Sequence, residues 1–393
     1  MNGIDLAKST YFSSLGITGL AAFLKSDNPP LIKQLWVGAF LIIILPAMFT
    51  SHLYSAAVDT SATDKFTSLG LGLDQLQITL KSLFFVQNIK RIRRILLQFE
   101  TFHCVNCCGV RALEILSRKA KFIKRIQNTY NCASFMCFLS WILAPVVLSP
   151  EGLFLTRNVD KMMKALPPIY PFRIDYFPMV QIVYLIETIM TMGALMHFTS
   201  LNLFFFTTLV LLCVQFQILN ESLHNNGRRK AIRMNEFVID HQRLLRICQE
   251  AKDALSPLLA VQLLISLLTI CFAIFELTMI NEDYKEGISQ IIIFFRKSTY
   301  TVIIFAELLL YCWLSSELQN SCDSIREGLY FSPWYENLKN TSYKDYIIIN
   351  CRAMRPFKLT ALFLINIQLS TFLEGLCIER CLEGSSDSSS FCQ

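Results

Sequence analysis

"MVQIVYLIETIMTMGALMHFTSLNLFFFTTLVLLCVQFQILNESL", Met179 to Leu223, is the stretch on which the fold turns. Almost nothing in it interrupts a helical repeat. As one helix it is about 67 Å long at 1.5 Å per residue, roughly twice a bilayer core of about 30 Å. Its first part is therefore expected to span a membrane, and its end, "VQFQILNESLHNN", to project into the cytoplasm as a soluble extension. Two amphipathic stretches, "EFVIDHQRLLRICQEAKDAL" (236–255) and "SSELQNSCDSIREGLY" (315–330), are expected to pack against that extension. In the first, Phe237, Ile239, Leu244, Leu245 and Ile247 sit near helical spacing with charges between them, the pattern of a one-sided helix.

Composition agrees. The 393 residues are 53% hydrophobic and only 17% charged, against about 25% charged in soluble domains. Seven spans are predicted: about 35–57, 67–87, 130–149, 177–210, 258–279, 289–314 and 358–378. The second is interrupted by Asp74, Gln75, Gln77 and Lys81, and the sixth contains Arg296, Lys297 and Glu307. The two basic residues have long stems that can snorkel toward the nearer interface. Within the expected cytoplasmic N-terminus, 1–34, Met1 to Asn28 carries Asp5 and Lys8 and no unbroken apolar core, so no cleavable leader is expected.

Lys and Arg collect on the cytoplasmic side of short loops. The loop 88–129 holds Lys90, Arg91, Arg93, Arg94, Arg111, Arg118, Lys119, Lys121, Lys124 and Arg125 against Glu100 and Glu114. The segments 220–257 and 315–357 are also basic, whereas "VDTSATD" and "NEDYKEG" are acidic or neutral. This predicts an all-α, seven-transmembrane bundle with the N-terminus inside and the C-terminus outside, plus a cytoplasmic helical domain from 220–257 and 315–357. The sequons at Asn220 and Asn340 then fall on the cytoplasmic side, where they go unused. The orientation is opposite to that of a G-protein-coupled receptor.

Signals for catalysis are poor. The five histidines lack metal-site spacing, and Cys104-x-x-Cys107 has no second pair. There is no phosphate loop and no nucleophile elbow. No cofactor, no metal and no nucleic-acid partner is expected, and the chain does not read as an enzyme. His197 and Glu187 within span four read as satisfied polar groups facing neighbouring helices.

The last span, 358–378, has one polar face. At 100° per residue Asn366, Ser370 and Glu374 fall within about 80° of each other, with most leucines opposite. Such a face wants neighbouring helices or water. Packing within the bundle and lining of a pore both satisfy it.

Three blocks in order resemble the insect odorant receptors, specifically their odorant-tuned subunits. They are "FVIDHQRLLRICQEAKDALSPLLAVQLLISLLTICFAIFEL" (237–277), "LLLYCWLSSELQNSCDSIREGLYFSPWYE" (308–336) and "RAMRPFKLTALFLINIQLSTFLEGL" (352–376). The resemblance implies an odorant-gated, non-selective cation channel, working as a heterotetramer with a co-receptor subunit. The location it implies is the plasma membrane of olfactory neuron dendrites. It assigns the cytoplasmic segments to an anchor that joins subunits, and small volatile odorants to a pocket in the outer half of the bundle. Candidate ligand-binding residues are Ser134, Phe138 and Trp141, which share a helix face at i, i+4 and i+7, with Tyr184, Met190 and Tyr300. Candidate pore-lining residues are Asn366, Ser370 and Glu374. The family's apolar, aromatic ending is replaced here by "CIERCLEGSSDSSSFCQ". Its gate residues therefore do not carry over, and 379–393 is expected as a polar extracellular tail. A gustatory receptor of the same superfamily and a polytopic transporter are the alternatives. Neither the gustatory ending nor an internal repeat is found.

Overall fold

The computed structural model of the chain describes residues 30–31, 37–58, 62–98, 103–148, 178–224, 234–283, 288–332, 343–354, 357–361, 365–366 and 370. They are almost wholly helical. A π-helical turn, Phe40–Ile44, runs directly into α1 (Leu45–Val58). There follow α2 (Ala62–Gln87), α3 (Ile89–Gln98), α4 (His103–Leu148), α5 (Met179–His224), α6 (Met234–Asp283), α7 (Ile288–Phe331) and α8 (Tyr343–Ala353). Among the described residues four helices are long and apolar enough to cross a membrane: Val37–Val58, Met179–Leu223, Asn235–Met279 and Gln290–Phe331, with mean hydropathies of 1.8, 1.9, 2.6 and 1.5.

Helix α5 is the continuous 46-residue rod that its sequence predicts. Its most apolar window is 94% buried, as a helix hydrophobic on all sides must be. Polar residues do not interrupt α2: Gln75, Gln77 and Lys81 are buried within it. Lys81 donates to Asn202 Oδ1 at 2.7 Å, and the Asn202 amide donates to the Tyr130 hydroxyl at 2.8 Å. His197 lies 2.7 Å from Ser82 Oγ and 5.2 Å from the Phe40 ring, a satisfied polar group as expected.

The segment 88–129, expected as a loop, is instead α3 and the first half of α4. Its apolar residues explain this. Ile92 and Ile95 are buried on α3 while Lys90, Arg91 and Arg94 are exposed. On α4, Ala112, Leu116, Ala120 and Ile123 repeat every three or four residues and are all buried. The charge run is the solvated face of these helices. Likewise 234–283 is one helix in which Pro257 sits without ending it, and 288–331 fuses the sixth span with the amphipathic stretch that follows.

A second correction concerns 358–378, expected as a membrane helix. Among its described residues, Thr360–Ala361 and Ile365–Asn366 form a two-residue antiparallel ladder, pairing Thr360 with Asn366 and Ala361 with Ile365. Only Ser370 is helical. Threonine and isoleucine favour extended backbone, and a helix with one polar face has little to hold it in a single chain. Ser256 Oγ on α6 ties the ladder down by donating to the Thr360 carbonyl at 2.8 Å.

The residues divide into two compact units: 1–97, 117–207 and 260–306 in the first, and 98–116, 208–259 and 307–393 in the second. In the first, Phe85 meets Phe204 edge-on at 5.2 Å and Tyr130 meets Phe206 at 5.9 Å. In the second, Phe216, Phe237, Leu244, Ile247, Leu318 and Ile325 are buried. His241 stacks on Phe237 at 6.0 Å. Burial, with Arg352 adding to it, pushes its imidazole down to about 4, so the ring is neutral at neutral pH.

Candidate ligand-binding site

The candidate site lies wholly in the first unit and is built from α2, α4, α5, α6 and α7. Its centre is Trp141 on α4, buried to 8% exposure. The Tyr300 ring of α7 approaches it edge-on, with centroids 6.0 Å apart and planes at 71°. One turn earlier on α7, the Arg296 guanidinium lies 4.5 Å from the Trp141 ring centroid. That is a cation–π contact in a desolvated setting, where such contacts are strongest. The Tyr300 hydroxyl donates to Asp74 Oδ2 on α2 at 2.6 Å. The Tyr184 hydroxyl of α5 donates to the carbonyl of Ile142, next to Trp141, at 2.6 Å. Three of the six residues picked from sequence, Trp141, Tyr184 and Tyr300, are thus brought to one place.

The other three sit differently. Ser134 is buried on α4, two turns before Trp141. Phe138 is half-buried and stacks on Phe135 at 6.4 Å, and Met190 is half-buried on α5. Asn366 is on the second strand of the ladder and Ser370 is exposed. Glu374 and the tail 379–393 lie outside the described residues.

The residues that sequence reasoning missed are the charges. Arg296 and Lys297 do not snorkel; they are 6% and 4% exposed. The Lys297 ammonium pairs with Glu276 of α6 at 3.1 Å and donates to Thr67 Oγ1 at 3.3 Å. Glu276 is itself buried. A membrane-buried charge needs a partner, and here two cations and two carboxylates, Asp74 and Glu276, are collected around the aromatic pair. The signal was present in the sequence as acidic and basic residues interrupting different apolar runs. No spacing rule could have said that they meet. Among the described residues no group of three or more His, Cys, Asp or Glu could hold a metal ion.

The fold is that of a multi-pass helical membrane protein, with polar and charged groups paired inside the bundle and an aromatic cluster at their centre. The profile of the family described as 7tm Odorant receptor matches residues 62–376. The chain belongs to that family, the insect odorant receptors, which are receptors and not enzymes. Among its relatives, Odorant receptor 10 of Aedes albopictus is 23% identical over 191 residues, covering 47% of this chain and 48% of the relative. Odorant receptor 47a of Drosophila melanogaster is 24% identical over 271 residues, covering 65% and 66%. The match thus spans about half to just under two thirds of these relatives' lengths. Among solved structures, the insect olfactory receptor OR5 from Machilis hrabei superposes with a TM-score of 0.74 at 14% identity, over 90% of this chain and 88% of that one. Its complex with eugenol gives the same score. At that identity the likeness establishes the fold.

Proposed function

We propose that the chain is an odorant-tuned subunit of a ligand-gated, non-selective cation channel, assembled as a heterotetramer with a co-receptor in the plasma membrane of olfactory neuron dendrites. One observation carries the ligand-binding part of this reading. Side chains from α2, α4, α5 and α7 converge on the Trp141–Tyr300 pair and are held there by Asp74, Arg296 and the Ile142 carbonyl. Two aromatic rings offering apolar contact, with few polar groups fixing orientation, suit small volatile organics. Burial at about 25 cal/mol per Å² of apolar surface supplies most of the affinity. Ligand opens the channel by binding the open state more tightly than the closed one.

The N-terminus is proposed inside and the C-terminus outside. The second unit supports the cytoplasmic anchor reading of 220–257 and 315–357 and extends it by 98–116. Asn366, Ser370 and Glu374 are proposed to line the conduction path of the assembled channel. The test is co-expression with a co-receptor subunit in a cell line, recording currents under an odorant panel. Odour-evoked current is expected only when both chains are present, with Trp141→Ala raising the half-maximal concentration tenfold or more, roughly what losing a buried aromatic contact costs. Current from this chain alone would overturn the proposal, as would co-expression that stays silent to every compound.

A further inference from the structure

Five hydroxyl groups on the helices around the candidate site share a property that bears on which odorants it takes. A hydroxyl has one proton to donate and two lone pairs to accept with. Here the protons are already committed. Tyr300 gives its proton to Asp74 at 2.6 Å and Tyr184 gives its own to the Ile142 carbonyl at 2.6 Å. Three more hydroxyls on the same helices return theirs to the preceding turn: Ser140 to Cys137 O at 2.6 Å, Thr188 to Tyr184 O at 2.8 Å and Thr301 to Lys297 O at 2.9 Å. What these groups can still offer a ligand is lone pairs. Tyr300 offers the strongest, because a hydroxyl that donates to a carboxylate becomes a better acceptor through polarisation of the chain of bonds.

The charges narrow the class further. Arg296 lies on Trp141, and Lys297 is engaged by Glu276 and Thr67. Asp74 and Glu276 balance these two cations, so the cluster as a whole suits a neutral odorant better than a charged one. A neutral hydrogen-bond donor complements the lone pairs of the Tyr300 hydroxyl.

We propose that the site selects odorants that donate a hydrogen bond, alkanols and phenols, over ethers and esters of the same size, and that Tyr300 is the residue that reads the hydroxyl. This rests on the odorant-receptor reading above and deepens it. Asp74 is then a positioning residue: it holds the Tyr300 ring against Trp141 and keeps its proton from the ligand. An ether or ester would bring lone pairs against lone pairs.

The test measures half-maximal concentrations for matched pairs, an alkylphenol and its methyl ether, and an alkanol with its methyl ether and acetate. The full chain is co-expressed with a co-receptor subunit. In the wild type the hydroxyl compounds are expected to be about tenfold more potent, the weight of one net hydrogen bond. Tyr300→Phe removes one oxygen and keeps the ring. It should bring the ratio to within about twofold; the ratio is the readout, because the lost tie to Asp74 shifts both members of a pair together, as any merely structural loss would, and leaves their ratio alone. Tyr184→Phe should keep the ratio. Wild-type potencies that are equal, or that favour the ether or acetate through the Arg296 guanidinium, would overturn the proposal. So would a ratio that survives Tyr300→Phe, or one lost in Tyr184→Phe. A wild type silent to every compound would instead sink the receptor reading itself.

Discussion

Lys297 and Glu276 show what a single charged side chain does inside this bundle. Each is almost fully buried, and the 3.1 Å pair is made between α6 and α7. Taking two ions out of water is costly, so such a pair contributes little net stability compared with apolar residues of the same shape. Removing one partner is a different matter, since it strands the other charge. Lys297→Met or Glu276→Gln alone is expected to cost about 3–5 kcal/mol, read as a drop in surface expression and in thermal stability of the detergent-solubilised protein. The double variant should recover most of that loss. A double variant as unstable as either single would show that the pair is not the reason for the effect. Helical spacing within one run grouped Ser134, Phe138 and Trp141, and of these only Trp141 meets Tyr300. The charged residues were not legible, because their meaning lies in partners on other helices: Asp74 is 226 positions before Tyr300.

At the scale of elements, long helices replace what the sequence suggested were separate pieces. Helix α5 was fully legible, since one apolar run of uniform character can be little else. Helices α6 and α7 were read as a span plus a neighbour, because hydropathy falls where each leaves its apolar part while the helical repeat continues. The cue for α4 was hidden under ten basic residues between Lys90 and Arg125, whose number obscured the buried stripe from Ala112 to Ile123. Close packing of these rods makes its own demands. In the second unit, a side chain at Gly328 of α7 would drive its Cβ into the Asn220 carboxamide of α5, with Asn220 Cγ only 2.9 Å away. Gly328→Ala must therefore displace the Asn220 side chain, at a cost of about 1–3 kcal/mol, seen as a lower melting temperature. Adding Asn220→Ala should restore stability toward the wild type. If it does not, the contact is not what fixes glycine at this position.

At the scale of the whole molecule, the second unit exposes large apolar side chains. Tyr330 and Phe331 are 76% and 70% exposed at the end of α7, and Ile348 of α8 is 65% exposed. Soluble surfaces seldom carry such groups together without a partner to cover them. On the proposed cytoplasmic-anchor reading, the partner expected to cover them is another subunit. Tyr330→Glu with Phe331→Glu is expected to reduce co-purification with the co-receptor several-fold. The stability of this chain alone should change by no more than about 0.5 kcal/mol, as for other exposed positions. Unchanged co-purification would place the subunit contact elsewhere. The C-terminal segment also belongs to this scale. Its polar face was legible, but the pairing of Thr360–Ala361 with Ile365–Asn366 was not, because a two-residue strand pair is too short to leave a periodic signal.

The buried charges on α7 also bear on the order in which the protein is made. A basic residue near the middle of a membrane helix costs about 2.5–3.5 kcal/mol when that helix enters the bilayer by itself, and α7 carries two in succession. The side chains named here as meeting them or Tyr300 lie upstream: Thr67 and Asp74 on α2, Trp141 on α4 and Glu276 on α6. As the chain leaves the ribosome, α7 therefore emerges when its counter-charges are already in the membrane. It can enter as a hairpin with α6 instead of as a lone, poorly inserting segment.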